Sequence, residues 1–260
     1  MSQNASNPLI LLLPGAWHTP RFFDIITPHF NQQGYDTRAI QLPSVGTSPG
    51  LPDMSADVAL VRENVIHILD EENRDAILFM HSYGSIPGTE ALRGLGKKER
   101  EASGKRTGVI ALFYIAGVLP VLGGSSATTC EQVSDEERAN PPAWVLKYLD
   151  DGTVEPEDPI LCFYDDVEPK LAQEVVTWLR PHSVGPFMTP LTYAAYRDIP
   201  AAYLLCKNDR MLTYVQQQRI VREAEIQMTE TIESAHSPFL TQPGAVVEFV
   251  QRSLRKMYPS

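Results

Sequence analysis

Four uninterrupted apolar runs, at 9–13, 76–80, 109–116 and 201–206, most constrain what this chain can become. A strand with one wet face alternates apolar and polar residues. A run that is apolar at every position is buried on both faces, as in a parallel sheet covered by helices. Helical spacings lie between the runs. Phe22, Phe23, Ile25, Ile26 and Phe30 form one set, closed by Gly34. Met54, Val58, Val61, Val65 and Ile68 share one face of another, with Ser55 expected as its N-cap and Asp57 in its first turn. A strand is expected over 36–42, a loop over 44–53, and a charged, solvated connection over 97–105. Strand and helix alternate, which predicts an α/β protein with a mostly parallel central sheet flanked by helices.

The run at 76–80 stops at a corner, Met80-His81-Ser82-Tyr83-Gly84, and a helical pattern through Ile86, Leu92 and Leu95 follows. A serine on a sharp strand-to-helix turn presents its hydroxyl at the carboxyl edge of the sheet, where ligands of such sheets bind. The N–H of the next residue, Tyr83, is free at the helix start and aims at the same space. The usual pattern is G-x-S-x-G. Gly84 keeps the second glycine, and Met80 replaces the first. Ser82 as a plain helix cap is the alternative for these five residues alone.

The alternation breaks from Leu119 to Arg197, a stretch rich in proline, acids and aromatics. Leu146, Leu149, Leu171, Val175, Val176, Trp178 and Leu179 suggest short helices there. The expected organisation is a core over 1–118, a mainly helical cap over 119–197 lying on the sheet edge as a lid that sets specificity, and the rest of the core over 198–260. Asp165-Asp166 reads as a solvated acidic loop rather than a metal pair. The sheet resumes at 201–206; Thr213 is expected to cap the next helix, 226–232 to form a strand, and the chain to close on a helix from Thr241-Gln242-Pro243 to Met257.

Composition narrows function. A net charge of −10 without any basic run argues against a nucleic-acid surface. Cys130, Cys162 and Cys206 are too scattered for a disulfide framework or a zinc site, so free thiols, no metal and a cytoplasmic setting are expected. No apolar run approaches the roughly 20 residues that span a bilayer, so no membrane partner is expected. The Asn4-Ala5-Ser6 sequon matters only in a secreted chain.

Ser82 needs a base, and the base needs an orienting carboxylate. Among six histidines, His236 alone follows a late strand in a loop returning to the carboxyl edge. His29 and His67 read as surface residues, His81 as pointing to the wrong side of the corner, and His182 as able to touch substrate from the insertion. Asp209 directly follows the run ending in Cys206. The order Ser82, Asp209, His236 is the one expected of a hydrolase triad on this kind of sheet.

With these residues in hand, the chain resembles the α/β-hydrolase superfamily over essentially its whole length, and within it the small capped enzymes that include plant methyl-ester esterases and hydroxynitrile lyases. The resemblance is carried by Pro14-Gly15-Ala16-Trp17-His18, Met80-His81-Ser82-Tyr83-Gly84, Asn208-Asp209 and Ala235-His236-Ser237-Pro238-Phe239. It implies an oxyanion hole from the N–H groups of Ala16 and Tyr83. Gly15, Trp17, His18 and His182 are then expected near the substrate, and no cofactor is expected. Pro14 stands where the family commonly has histidine. Ser237 and Gly15 replace the lysine and threonine of the lyases and side with esterases. The expected activity is cleavage of an ester, lactone or thioester of a small, bulky apolar or aromatic molecule. A carbon–carbon hydrolase or lyase on the same triad, or a non-hydrolytic receptor or natural-product pathway protein of this fold, is the alternative. Substrate identity and oligomeric state are not written in the residues.

Overall fold

The computed structural model describes residues 7–131 and 133–259; the Asn4-Ala5-Ser6 sequon lies outside them. Six strands form one sheet: β1 (Leu9–Leu13), β2 (Thr37–Ala39), β3 (Ala76–His81), β4 (Val109–Ile115), β8 (Ala201–Cys206) and β9 (Met228–Ile232). Their order is β2-β1-β3-β4-β8-β9, and every pairing is parallel. The apolar runs are its centre. All residues of β1 and β3 are buried, as a sheet covered on both faces demands. Leu13 pairs with Met80 and Cys206 with Ile232, so the strands end together and their outgoing loops share one edge.

The order reverses between β1 and β3. The first strand has β2 on one side and β3 on the other, so the loops after β1 and β3 leave the sheet side by side. This is the switch point at which open α/β sheets hold their ligands. It brings Ala16, after β1, beside Ser82, after β3.

Several helices fall where their spacing predicted. Ser55–Ile66 buries Val61 and Val65 and continues into a single wider turn, His67–Glu71, that buries Ile68. Ser55 is its first residue rather than its cap, and Asp53 Oδ1 accepts both the Ser55 N–H (2.8 Å) and its hydroxyl. Thr213 does cap Tyr214–Glu223, in a reciprocal box with Gln216. The final helix runs Pro243–Met257. The supposed loop at 97–105 holds a helix, Lys97–Ala102. There Lys97 pairs with Asp75, and buried Arg100 donates to Asp70, so its charges serve as anchors.

The regular elements of the segment between β4 and β8 are mainly helical, as expected, and the small sheet within it is an addition. It has short helices, among them Pro159–Phe163 and Pro169–Val176. It also has a three-stranded antiparallel sheet of β5 (Leu146–Tyr148), β6 (Thr153–Pro156) and β7 (His182–Ser183). Leu146 and Leu149 suggested a helix because they are three apart. The Asp151-Gly152 turn overrides that spacing. Gly152 adopts φ +79°, which favours glycine, and Asp151 Oδ1 accepts the Thr153 N–H (3.1 Å) and hydroxyl (2.6 Å). Among the described residues no helix is long and apolar enough to cross a membrane.

Candidate active site

The corner after β3 is strained. Ser82 adopts φ +50°, a conformation that costs an L-residue on the order of 1–3 kcal/mol and persists only where its surroundings enforce it. Two contacts enforce it here. The Ser82 carbonyl accepts the Val118 N–H at 3.1 Å. Gly84 lies so close to β1 that a Cβ there would collide with the Pro14 carbonyl oxygen and lie 2.9 Å from that of Leu13. Gly84 therefore lets helix and strand touch. The missing first glycine has a counterpart one turn into the helix Ser85–Glu90. A Cβ on Gly88 would lie 2.5 Å from Met80 Sδ, so Gly88 makes the room that Met80 takes.

The loop after β1 presses on the same corner. A Cβ on Gly15 would sit 3.0 Å from Ser82 Cβ. The His18 N–H donates to the Gly15 carbonyl (3.2 Å), and Trp17 has φ +65°. His18 Nδ1–H donates to the Ala16 carbonyl at 2.6 Å. This tight turn holds Ala16 on the same cavity wall as Ser82 and Tyr83, and Tyr83 stands at the N-terminal end of its helix. The Tyr83 ring is pinned from behind, its hydroxyl donating to buried Asp57 Oδ2 at 2.7 Å.

Asp209 and His236 meet in the loops that follow β8 and β9. Asp209 Oδ1 accepts the N–H groups of Met211 (2.8 Å) and Leu212 (2.9 Å). Its Oδ2 accepts His236 Nδ1–H at 2.7 Å and Gln217 Nε2–H at 3.1 Å. Both residues are buried. With Nδ1 engaged as a donor, Nε2 of the neutral ring is the acceptor. Ser82 makes no side-chain hydrogen bond among the described residues, which leaves its hydroxyl free to turn; such bonds are often loose in unliganded sites. His81 lies behind the site. Its Nε2–H donates to the His236 carbonyl at 3.0 Å, and its ring packs 4.7 Å from that of His236.

Ser82 opens on a cavity of about 340 Å³. Ala16, Trp17, Ser82, Tyr83, Val118, Met211 and Leu212 line it from the sheet edge. Trp144, Leu146, Tyr148, Phe187, Met188 and their neighbours line it from the segment between β4 and β8. Of the four residues expected near substrate, Trp17 lines the cavity, and Gly15, His18 and His182 stand behind its wall. His18 Nε2 accepts from the Tyr164 hydroxyl (2.9 Å). His182 spans Ser44 Oγ (3.1 Å) and the Ser183 carbonyl (2.7 Å) while stacking on Phe187. Cys130 also lines the cavity, but burial pushes its thiol up to about 11, so little thiolate forms at neutral pH. Among the described residues no group of three or more His, Cys, Asp or Glu side chains is set to hold a metal ion.

Sequence reasoning passed over Gln217 and set His81 aside as pointing to the wrong side of the corner. Gln217 is fully buried; besides Asp209 it holds the Cys206 N–H and carbonyl and the Leu212 carbonyl, locking the acid loop. Its only advance signal was a glutamine on the buried face of an amphipathic helix.

Burial pulls the His18 and His182 pKa values down to about 3, against carbonyl hydrogen bonds that raise them. Their folded values lie below the unfolded one near 6.5, so the unfolded chain takes up protons first as pH falls. The stability they contribute is present above about pH 6.5 and lost as pH falls toward 3. Between pH 7 and pH 5 each is expected to cost roughly 2 kcal/mol. Urea midpoints at pH 7, 6 and 5 check this: His182→Gln is expected to fall less steeply than the parent, and equal slopes would contradict it.

A family model described as the alpha/beta hydrolase family matches residues 10–249. The chain therefore belongs to the alpha/beta hydrolase family and is an enzyme of that family. It is 26% identical over 250 residues to the alpha/beta hydrolase nvfD of Aspergillus novofumigatus (strain IBT 16806), covering 95% of this chain and 96% of that protein. Two solved structures share its fold. A methylesterase, MES16, from Arabidopsis superposes with a TM-score of 0.75 at 17% identity, covering 96% of this chain and 99% of that one. A pyrethroid hydrolase from Sphingobium faniae gives 0.72 at 19% identity, covering 97% and 98%.

Proposed function

We propose that this protein is a serine hydrolase that cleaves an ester-type bond of a neutral, bulky apolar or aromatic small molecule. The observation that carries the reading is Ser82, held at positive φ on the wall of a cavity that Leu212 also lines, with Asp209, which accepts the Leu212 N–H, bonded in turn to His236. Ser82 Oγ attacks the carbonyl carbon while His236 Nε2 takes its proton. Asp209 keeps the imidazole in the right tautomer and stabilises its charged form. The N–H groups of Ala16 and Tyr83 hold the oxyanion, and losing one such donor typically costs about 10²–10³-fold. His236 protonates the leaving group, and water then releases the acyl group by the same steps. This chemistry calls for no cofactor.

The lining supports the substrate class. It is dominated by aromatic and aliphatic side chains, and its described residues include no lysine or arginine to hold a carboxylate. The segment over 119–197 acts as the cap that shapes it. The names of the relatives agree: a hydrolase, a methylesterase and a pyrethroid hydrolase. Ser237 after His236, and Gly15 pressed on Ser82, favour hydrolysis over the lyase alternative.

A fluorophosphonate reagent, followed by intact mass and peptide mapping, tests the reading. One adduct on Ser82, formed about 10²–10⁴-fold more slowly in His236→Ala, is expected, and a panel of aryl esters, lactones and thioesters would then rank the substrates. An unlabelled Ser82 with tight ligand binding would instead indicate a receptor of this fold.

A further inference from the structure

Four consecutive residues, Phe163-Tyr164-Asp165-Asp166, leave the helix Pro159–Phe163 and each reaches the site. The Phe163 ring packs 5.7 Å from that of His236. The Tyr164 hydroxyl donates to His18. Asp165 Oδ2 accepts Arg210 Nε–H at 2.9 Å, one residue from Asp209. Asp166 Oδ2 accepts the Ser234 hydroxyl at 2.8 Å and the Ala235 N–H at 2.9 Å, immediately before His236. The acid loop and the base loop, which come from different strands, are thus held by neighbouring carboxylates of one segment.

Resting on the serine-hydrolase reading, we propose that Asp166 is a positioning residue: it clamps the turn at Ser234-Ala235 and so holds the His236 ring in register with Asp209 and Ser82. Asp166 is exposed, but both groups it holds are buried. Without the carboxylate, a buried hydroxyl and a buried amide lose a charge-assisted acceptor, and the turn relaxes to recover one. A small displacement there swings the imidazole, and displacement of a catalytic group lowers rate steeply even when the fold is intact.

The test is the rate of fluorophosphonate labelling of Ser82 in the full-length chain. Asp166→Ala is expected to slow it about tenfold, and Asp166→Asn, which keeps an acceptor oxygen and the shape, to recover much of the loss. In a His236→Ala background, Asp166→Ala is expected to slow the residual labelling no further, because its effect runs through that ring. Labelling of Asp166→Ala at the parent rate, or an equal further drop in the His236→Ala background, would overturn the positioning role while leaving the hydrolase reading intact. Should Asp166→Ala fail to fold, Ser234→Ala, which removes the hydroxyl that Asp166 holds, carries the same comparison in both backgrounds. Failure of the parent itself to label would instead overturn the hydrolase reading, and the positioning role with it.

Discussion

Ser82→Gly is expected to abolish activity and yet melt no lower than the parent. Loss of a triad nucleophile lowers kcat by on the order of 10⁴–10⁶-fold, because binding and the oxyanion donors alone retain little of the acceleration. Stability moves the other way. Ser82 sits at φ +50°, where an L-side chain is disfavoured by roughly 1–2 kcal/mol and glycine is not. That gain offsets the backbone entropy that glycine adds to the unfolded chain. Ester turnover and thermal unfolding on the same preparation check both halves. A clear fall in melting temperature would mean that the corner is not strained, and retained turnover would mean that Ser82 is not the nucleophile.

Gly84→Ala is expected to destabilise by about 3 kcal/mol or more, whereas Gly88→Ala costs roughly 1–3 kcal/mol. The two differ in what a new methyl meets. At Gly84 it meets the backbone carbonyls of Pro14 and Leu13, which cannot yield without shifting the end of β1 and with it Ala16. At Gly88 it meets Met80 Sδ and a Leu13 methyl, the movable ends of side chains. A smaller residue at Met80 is therefore expected to rescue Gly88→Ala and to leave Gly84→Ala unrescued. Denaturant midpoints of the two single and two double variants measure it. Equal costs would show that the helix approaches the strand less closely than described.

How much of this was legible beforehand depended on whether the signal was local. The apolar runs are local, and they specified the parallel sheet. Ser82 was legible because a buried strand stops abruptly at His81-Ser82-Tyr83-Gly84, and Asp209 and His236 because each follows its own strand in chain order. The Asp151-Gly152 hairpin was also local, but the three-residue spacing of Leu146 and Leu149 masked it. Asp166 was legible only as part of a solvated acidic loop, His81 only as a residue pointing away from the corner, and Gln217 only as a glutamine on a buried helix face. Each acts through a partner distant in the chain or on another element, so only the folded arrangement reveals it. His18 and His182 reach the vicinity of the site, but their nitrogens are engaged by neighbouring carbonyls and hydroxyls behind the cavity wall.

The segment between β4 and β8 is moored at several points. The Trp17 indole donates to the Val154 carbonyl at 2.7 Å, Tyr164 to His18, and the largely buried Arg219 to Glu137 at 2.6 Å. Swinging it open would break all of these together. The residues free to move are at the mouth, where Tyr148 and Met188 line the cavity and are 68% and 61% exposed. Side chains of that kind change rotamer in picoseconds to nanoseconds, whereas hinged lids take roughly microseconds to milliseconds. Entry and exit are thus expected to run on the faster of these clocks, with passage set by the girth of a molecule at a doorway rather than by the opening of a roof.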